Sequence, residues 1–162
     1  MASILIIDDN EEILEMLQLA ISKTTSHQVL LSTNGPDGLR KAHSEQPELA
    51  IVDVMMPKMN GYDVVRELRQ DPKTADMAII VLTARGQAVD KVAALEAGAD
   101  RYMAKPVKIQ DLVDEIERLL SEAPRIKGRG IYPVLSYRGG VGTTTLAVNF
   151  ALLFQQLDQL GI

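Results

Sequence analysis

The sequence predicts an α/β fold in which five parallel strands alternate with five helices. Short apolar runs recur along residues 1–122, and runs of this length form buried strands more readily than helices. The segments between them carry apolar residues at helical spacing, with Asn, Pro or Gly at their ends. Such alternation is typical of a doubly wound parallel sheet that helices cover on both faces.

The predicted strands are apolar, and polar residues follow them. They are Ser3–Ile7, Val29–Thr33, Leu49–Val52, Ala78–Leu82 and the weaker Arg101–Ala104. Crossovers between parallel strands are right-handed, which leaves few topologies. We expect the strand order 2-1-3-4-5, with the third strand in the middle.

Capping residues indicate where the helices begin and end. Asn10 stands at an N-cap position before two glutamates, which the helix dipole favours. Pro36 can open the second helix, and Gly98 is a good residue to follow the end of the fourth. The helices are predicted after Asn10, from Pro36 to about Glu45, over Gly61–Gln70, over Ala88–Ala97, and along the apolar stripe from Ile109 to Leu120.

Composition excludes several classes of site. The chain has 162 residues, no cysteine, and two histidines, His27 and His43. Disulfide frameworks, thiolate zinc sites, iron–sulfur clusters and cysteine nucleophiles are therefore excluded. The net charge of −5 argues against direct DNA binding. We find neither an export signal nor a stretch long enough to span a membrane, so we expect a cytoplasmic protein.

The charge divides the chain in two. Residues 1–122 contain 13 basic and 21 acidic side chains, a net charge of −8, whereas residues 123–162 have a net charge of +3. The change coincides with a Pro- and Gly-containing stretch. We predict one domain over residues 1–122, a linker over 123–131, and the start of a second domain over 132–162.

Polar residues at the strand ends form the chemical centre of the first domain. Asp8 and Asp9 follow the first strand, Asp53 the third, Thr83 the fourth and Lys105 the fifth. A doubly wound sheet places its site at the carboxyl ends of its strands, so these side chains should share one crevice. Unless one of them is protonated, three carboxylates there require a cation, and oxygen ligands favour Mg²⁺ or Mn²⁺.

A carboxylate in such a crevice can itself accept a phosphoryl group and form an acyl phosphate. Asp53 lies at the end of the middle strand and is the best candidate acceptor, while Asp8 and Asp9 share one turn and suit metal binding. Lys105 and Thr83 can hold the phosphoryl oxygens, so that the cation, the ammonium and the hydroxyl stabilise the transfer together.

Four motifs resemble those of response-regulator receiver (CheY-like) domains, which have a flavodoxin-like fold. They are Ile6-Ile7-Asp8-Asp9, Ile51-Val52-Asp53-Val54-Met55-Met56-Pro57 with Gly61 beyond it, Val81-Leu82-Thr83-Ala84, and Tyr102-Met103-Ala104-Lys105-Pro106. Each motif alone is weak, but all four occur in order, at the expected spacing and at strand ends. The resemblance covers residues 1–122.

The resemblance implies a phosphorylation site and a switch. Asp53 would accept phosphate from the phosphohistidine of a histidine kinase or phosphotransfer protein, and Thr83 and Lys105 would bind the phosphoryl group. Asp9, Asp53 and the carbonyl of Met55 would bind Mg²⁺ directly, with Asp8 acting through water. Thr83 and Tyr102 would change position on phosphorylation and alter the face of the fourth helix, fifth strand and fifth helix, where a homodimer can form. The Lys105–Pro106 bond would be cis.

The last residues resemble the start of a different domain. A predicted strand, Ile131–Ser136, precedes Arg138-Gly139-Gly140-Val141-Gly142-Thr143-Thr144-Thr145. This pattern is similar to the deviant phosphate loop of MinD/ParA-type ATPases, including the CpaE/TadZ proteins of pilus assembly. The candidate nucleotide-binding residues are Gly139, Gly140, Gly142, Thr143 and Thr144. Thr143 replaces the expected lysine, so we expect no ATPase activity from this part, and ATP binding only in a longer parent protein. A following apolar seam is a second candidate dimer contact.

Other functions fit the residues less well. A phosphatase of the haloacid-dehalogenase type would need a second acid two residues after the nucleophile, where this chain has Met55. Flavodoxins bind a phosphate at the first loop, where Asp8 and Asp9 would repel it. A docking module would not need Thr83 and Lys105. The open alternative is an ATPase-like positioning or pilus-assembly protein whose receiver is regulatory or degenerate.

Overall fold

A computed structural model describes residues 1–84 and 88–122, with only the backbone given for 88–91. Ten elements alternate along these residues. The strands are β1 (Ser3–Ile7), β2 (Gln28–Ser32), β3 (Leu49–Asp53), β4 (Ala78–Thr83) and β5 (Arg101–Ala104). The helices are α1 (Glu11–Thr24), α2 (Gly35–Glu45), α3 (Gly61–Gln70), α4 (Ala88–Ala97) and α5 (Ile109–Ser121). No helix in these ranges is long and apolar enough to cross a bilayer.

The five strands form one parallel sheet in the order β2-β1-β3-β4-β5, which confirms the predicted fold class. Successive residues of the central strands point to opposite faces, as expected for extended chain. On β1, Leu5 and Ile7 pack with α2, α3 and α4, whereas Ile4 and Ile6 pack with α1 and α5. Two apolar cores therefore hold the sheet between two helical layers, and the carboxyl ends of the strands meet at one edge.

The bounds of β2 differ from the prediction by one residue. The register pairs Ser32 with Ile7, the last residue of β1, so Thr33 lies beyond the end of its partner strand. β2 therefore covers Gln28–Ser32 and not Val29–Thr33.

Three asparagine caps begin the helices that follow the first three strands. The side chain of Asn10 accepts from the amides of Glu12 and Ile13, and the side chains of Asn34 and Asn60 cap α2 and α3. Gly98 has the positive φ of +102° that favours glycine after a helix. Asn10 and Gly98 lie where the sequence predicts them, whereas the caps at Asn34 and Asn60 were not predicted.

Candidate functional site

The carboxyl edge of the sheet brings the predicted residues together. Asp8 and Asp53 are buried, Thr83 is fully buried, and Asp9 is exposed. Backbone hydrogen bonds continue the sheet into these residues. The amide of Asp8 donates to the carbonyl of Ser32 over 3.1 Å, and the amide of Lys105 donates to the carbonyl of Thr83 over 2.7 Å. The strand ends thus fix the backbone of the acidic residues and of the lysine.

One lysine is shared between the two buried carboxylates. The Nζ atom of Lys105 lies 2.7 Å from Oδ2 of Asp8 and 2.7 Å from Oδ1 of Asp53. All three side chains are largely withdrawn from water, which strengthens the attraction between their charges. Because Asp9 lies in the same group, three carboxylates face the ammonium of Lys105, and among the described residues this cluster has an excess of negative charge.

Burial and this charge excess change the proton affinities of the pair. Burial raises the pKa of Asp53 above its usual value; the hydrogen bond and charge of Lys105 oppose the shift, and the nearby charge of Asp8 adds to it. Burial alone would lower the pKa of Lys105, but the hydrogen bonds and charges of Asp53 and Asp8 outweigh it and raise that pKa. Lys105 is therefore held as a cation, and the ionised form of Asp53 is less favoured than that of an exposed aspartate.

The remaining carboxylate oxygens are held by backbone amides. The amide of Met55 donates to Oδ2 of Asp53 over 2.8 Å, and the amide of Asn10 donates to Oδ1 of Asp8 over 2.9 Å. Both bonds span two residues, so the turn after each strand orients the carboxylate that precedes it. The side chain of Met55 is half-exposed.

Close packing below Asp53 requires a glycine. The amide of Gly61 donates to the carbonyl of Val54, and a Cβ atom at Gly61 would lie 2.2 Å from the carbonyl oxygen of Asp53. We predicted Gly61 only as part of a motif, and its contact with the acceptor backbone was missed. Ser32, next to the amide of Asp8, was missed as well, because its role depends on the strand register.

The donor set fits a hard divalent cation. Asp8, Asp9 and Asp53 each offer a carboxylate oxygen, and these oxygens lie within 4.8 Å of one another. Oxygen ligands of this kind suit Mg²⁺ or Mn²⁺, which retain several waters and need few protein ligands.

The two predicted switch residues lie on the neighbouring strands β4 and β5. Thr83 ends β4, and Tyr102 lies on β5 opposite Val81. The Tyr102 ring is half-buried and packs against the core formed with α2, α3 and α4. The Lys105–Pro106 peptide bond is cis, which confirms that prediction.

The predicted phosphate loop lies outside the described residues. Gly139, Gly140, Gly142, Thr143 and Thr144 fall there, as do the linker over 123–131 and the apolar seam of the last predicted helix. The described site is therefore the acidic cluster of residues 1–122.

Comparison with known proteins assigns the same residues to one family. The sequence profile of the response regulator receiver domain matches residues 4–117. Protein PilH of Pseudomonas aeruginosa is 38% identical over 122 residues, which cover 75% of this chain and 99% of that protein. The transcriptional regulators RpaA of Synechocystis and PhoP of Bacillus subtilis are 35% and 37% identical over 78% and 72% of this chain. The chain spans about half the length of these two regulators, 52% and 48%.

Solved structures agree with this assignment. The receiver domain of a signal transduction histidine kinase from Syntrophus aciditrophicus superposes with a TM-score of 0.71 and 33% identity, covering 82% of this chain and 98% of that one. A receiver domain protein from Clostridium thermocellum gives a TM-score of 0.68 and 33% identity, covering 74% and 94%. Receiver domains are signalling domains of two-component systems. The chain belongs to the response regulator receiver domain family.

Proposed function

We propose that Asp53 accepts a phosphoryl group from a phosphohistidine of a histidine kinase or phosphotransfer protein. The observation that carries this proposal is the position of the Asp53 carboxylate, buried at the end of the middle strand and bonded to Lys105. A carboxylate oxygen of Asp53 attacks phosphorus, the P–N bond breaks, and the electron pair leaves with the imidazole. Lys105, already a cation, stays protonated and attracts the phosphoryl oxygens.

Four further residues complete the proposed reaction site. Asp9 and Asp53 would bind Mg²⁺ directly together with the carbonyl of Met55, and Asp8 would act through a water molecule. When bound, the cation supplies positive charge that neutralises the phosphoryl oxygens during transfer. Thr83 would donate its hydroxyl to a second phosphoryl oxygen, which its position at the end of β4 supports.

The output of the phosphorylated domain would be a change in its α4–β5–α5 face. Thr83 would move toward the phosphoryl group and Tyr102 would turn with it, which biases an equilibrium between two conformations. Val92 and Leu95, one helical turn apart on α4, are 54% and 50% exposed. We propose that they contribute to a homodimer or output contact, which sedimentation of wild type and Val92→Asp with acetyl phosphate would test.

The region after residue 122 would connect this switch to an output domain. Its resemblance to an ATPase of the MinD/ParA type rests on the sequence of residues 131–145. RpaA is described as a DNA-binding regulator, but the matched 126 residues correspond in length to a receiver domain. We therefore propose the receiver function for this chain and not DNA binding. Nucleotide binding by a longer parent protein would test the ATPase resemblance.

Phosphorylation can be tested directly by intact-mass measurement. Wild type, Asp53→Ala and Asp63→Asn would each be incubated with acetyl phosphate and Mg²⁺. Asp63 is a matched control because its carboxylate lies on the surface, beyond the site. We expect wild type and Asp63→Asn to gain one phosphoryl group and Asp53→Ala to gain none. Equal gain by Asp53→Ala would refute Asp53 as the acceptor, and no gain by wild type would indicate a degenerate receiver.

A further inference from the structure

The end of β2 is held by a polar cluster that the proposed reaction does not use. The hydroxyl of Ser32 lies 2.8 Å from Oδ2 of Asp37 and 3.0 Å from the carbonyl of Asn34. Nζ of Lys41 lies 2.8 Å from the same Asp37 oxygen and 2.6 Å from the carbonyl of Leu31. Two consecutive residues of β2, Leu31 and Ser32, are thus tied to the first turns of α2.

This cluster is adjacent to the acidic site. The carbonyl of Ser32 accepts the amide of Asp8, one residue beyond the last paired residue of β1. In the part of the chain that the structure describes, β2 is an edge strand paired with β1, and the end of an edge strand opens easily unless something holds it. The backbone of Asp8 therefore depends on a strand end that α2 keeps in place.

We propose that Asp37 is a positioning residue for the acidic site, acting through Ser32 on the backbone of Asp8. The proposal rests on the proposed function, because it assigns Asp8 a part in cation binding. Asp37 holds the hydroxyl of Ser32, Ser32 holds the amide of Asp8, and Asp8 in turn contacts Lys105. The hydrogen bond from Lys41 is the main cause that lowers the pKa of Asp37, so this carboxylate is ionised at neutral pH.

The chain contains a matched control for Asp37. The sequence Asn-Gly-x-Asp-x-x-Arg occurs at residues 34–40 and again at residues 60–66. In both copies the asparagine side chain accepts from the amide of the aspartate, and the aspartate pairs with the arginine three residues later. Asp37 additionally contacts Ser32 and Lys41. Replacing each aspartate by asparagine removes the same helix-terminus charge and the same pair with the arginine three residues later, so the two variants differ in the contacts with Ser32 and Lys41.

The test compares Asp37→Asn, Ser32→Ala and Asp63→Asn with wild type by two measurements. Amide hydrogen exchange, followed by NMR, reports the bond between the amide of Asp8 and Ser32. Calorimetric titration with MgCl₂ reports the cation site. In Asp37→Asn and Ser32→Ala we expect exchange at Asp8 to accelerate roughly 10-fold. We expect the Mg²⁺ affinity of these variants to fall about 3- to 10-fold, less than the 10- to 100-fold that follows loss of a direct partner of a ligand.

In Asp63→Asn we expect both quantities to match wild type. If Asp37→Asn and Asp63→Asn alter them equally, or if neither Asp37→Asn nor Ser32→Ala alters exchange at Asp8, the proposal is wrong. Should Asp37→Asn fail to fold, Ser32→Ala decides the question, because it keeps the carboxylate and the helix cap. If wild type binds no Mg²⁺, the proposed function fails, while the exchange rate of Asp8 still decides the role of Asp37.

Discussion

Replacing Gly61 with alanine should disable the acceptor without a change in any reacting group. The new Cβ atom would lie 2.2 Å from the carbonyl oxygen of Asp53 and 2.8 Å from Cα of Val54. An ordinary carbon–oxygen contact is about 3.3 Å or longer, so one backbone segment must move by about 1 Å. The contacted atoms are backbone atoms and cannot turn away as the end of a side chain would.

The expected consequence is kinetic. A displacement of about 1 Å at a reacting group reduces a rate by on the order of 100-fold. We therefore expect Gly61→Ala to fold and to accept phosphate from acetyl phosphate on the order of 100-fold more slowly than wild type. Intact mass measured at successive times gives the rate, and circular dichroism during heating reports the fold.

Gly35→Ala is the matched control, because Gly35 is the glycine of the other Asn-Gly helix start. Its Cβ would lie 2.9 Å from Cγ2 of Val64 and 3.0 Å from Sδ of Met59, which are side-chain atoms and not the backbone of Asp53. We expect this variant to lose some stability and to keep its phosphorylation rate. A folded Gly61→Ala with the wild-type rate, or equal slowing in both variants, would refute the argument from close packing.

Three further predictions concern charge. Since burial raises the pKa of Asp53 above its unfolded value, its ionisation opposes folding as pH rises through the normal aspartate range. Without divalent cations, Asp53→Asn should therefore be more stable than wild type in urea at pH 7, and the difference should shrink at pH values below that range. Lys105→Met leaves the buried carboxylates of Asp8 and Asp53 without their ammonium partner, and should lower the free energy of unfolding by roughly 3 kcal/mol. Lys108→Met is the control, because Lys108 is exposed. Arg69 donates to three backbone carbonyls and a buried carboxylate, so Arg69→Met should cost roughly 3 kcal/mol. Arg66→Met removes an exposed pair with Asp63 and should lower the free energy of unfolding by less than about 1 kcal/mol in the same urea titration. Equal losses of stability in Arg69→Met and Arg66→Met would contradict the argument.

Some helix caps were predictable because they depend on local sequence. Asn10 and Gly98 were identified from residue type alone, and the structure places both as expected. The convergence of Asp53, Thr83 and Lys105 followed from the rule that parallel strands share a carboxyl edge. These inferences need the order of the elements along the chain but no distance between side chains.

Contacts between distant backbone segments were not predictable in the same way. The sequence did not show that Ser32, and not Thr33, ends β2, because that depends on where β1 stops. Nor did it show that Asp8 is buried on Lys105 while Asp9 is exposed, since the turn that Asn10 caps decides which of the two points inward. The close contact between Gly61 and the backbone of Asp53 was not predictable either, because it forms only when the chain after β3 folds back on Asp53.

The excess of carboxylates over ammonium groups in the site lowers the stability of the cation-free fold but favours cation binding. If each buried carboxylate had its own lysine, the charges would balance and the site would have little affinity for a further cation. With Lys105 shared between Asp8 and Asp53, and Asp9 beside them, a divalent cation gains favourable energy by binding. The same shortage of positive charge destabilises the cation-free fold, because buried carboxylates are left partly unpaired. Stability and cation affinity are therefore opposed in this cluster. A variant such as Asp53→Asn should be more stable than wild type without cations and should bind Mg²⁺ more weakly.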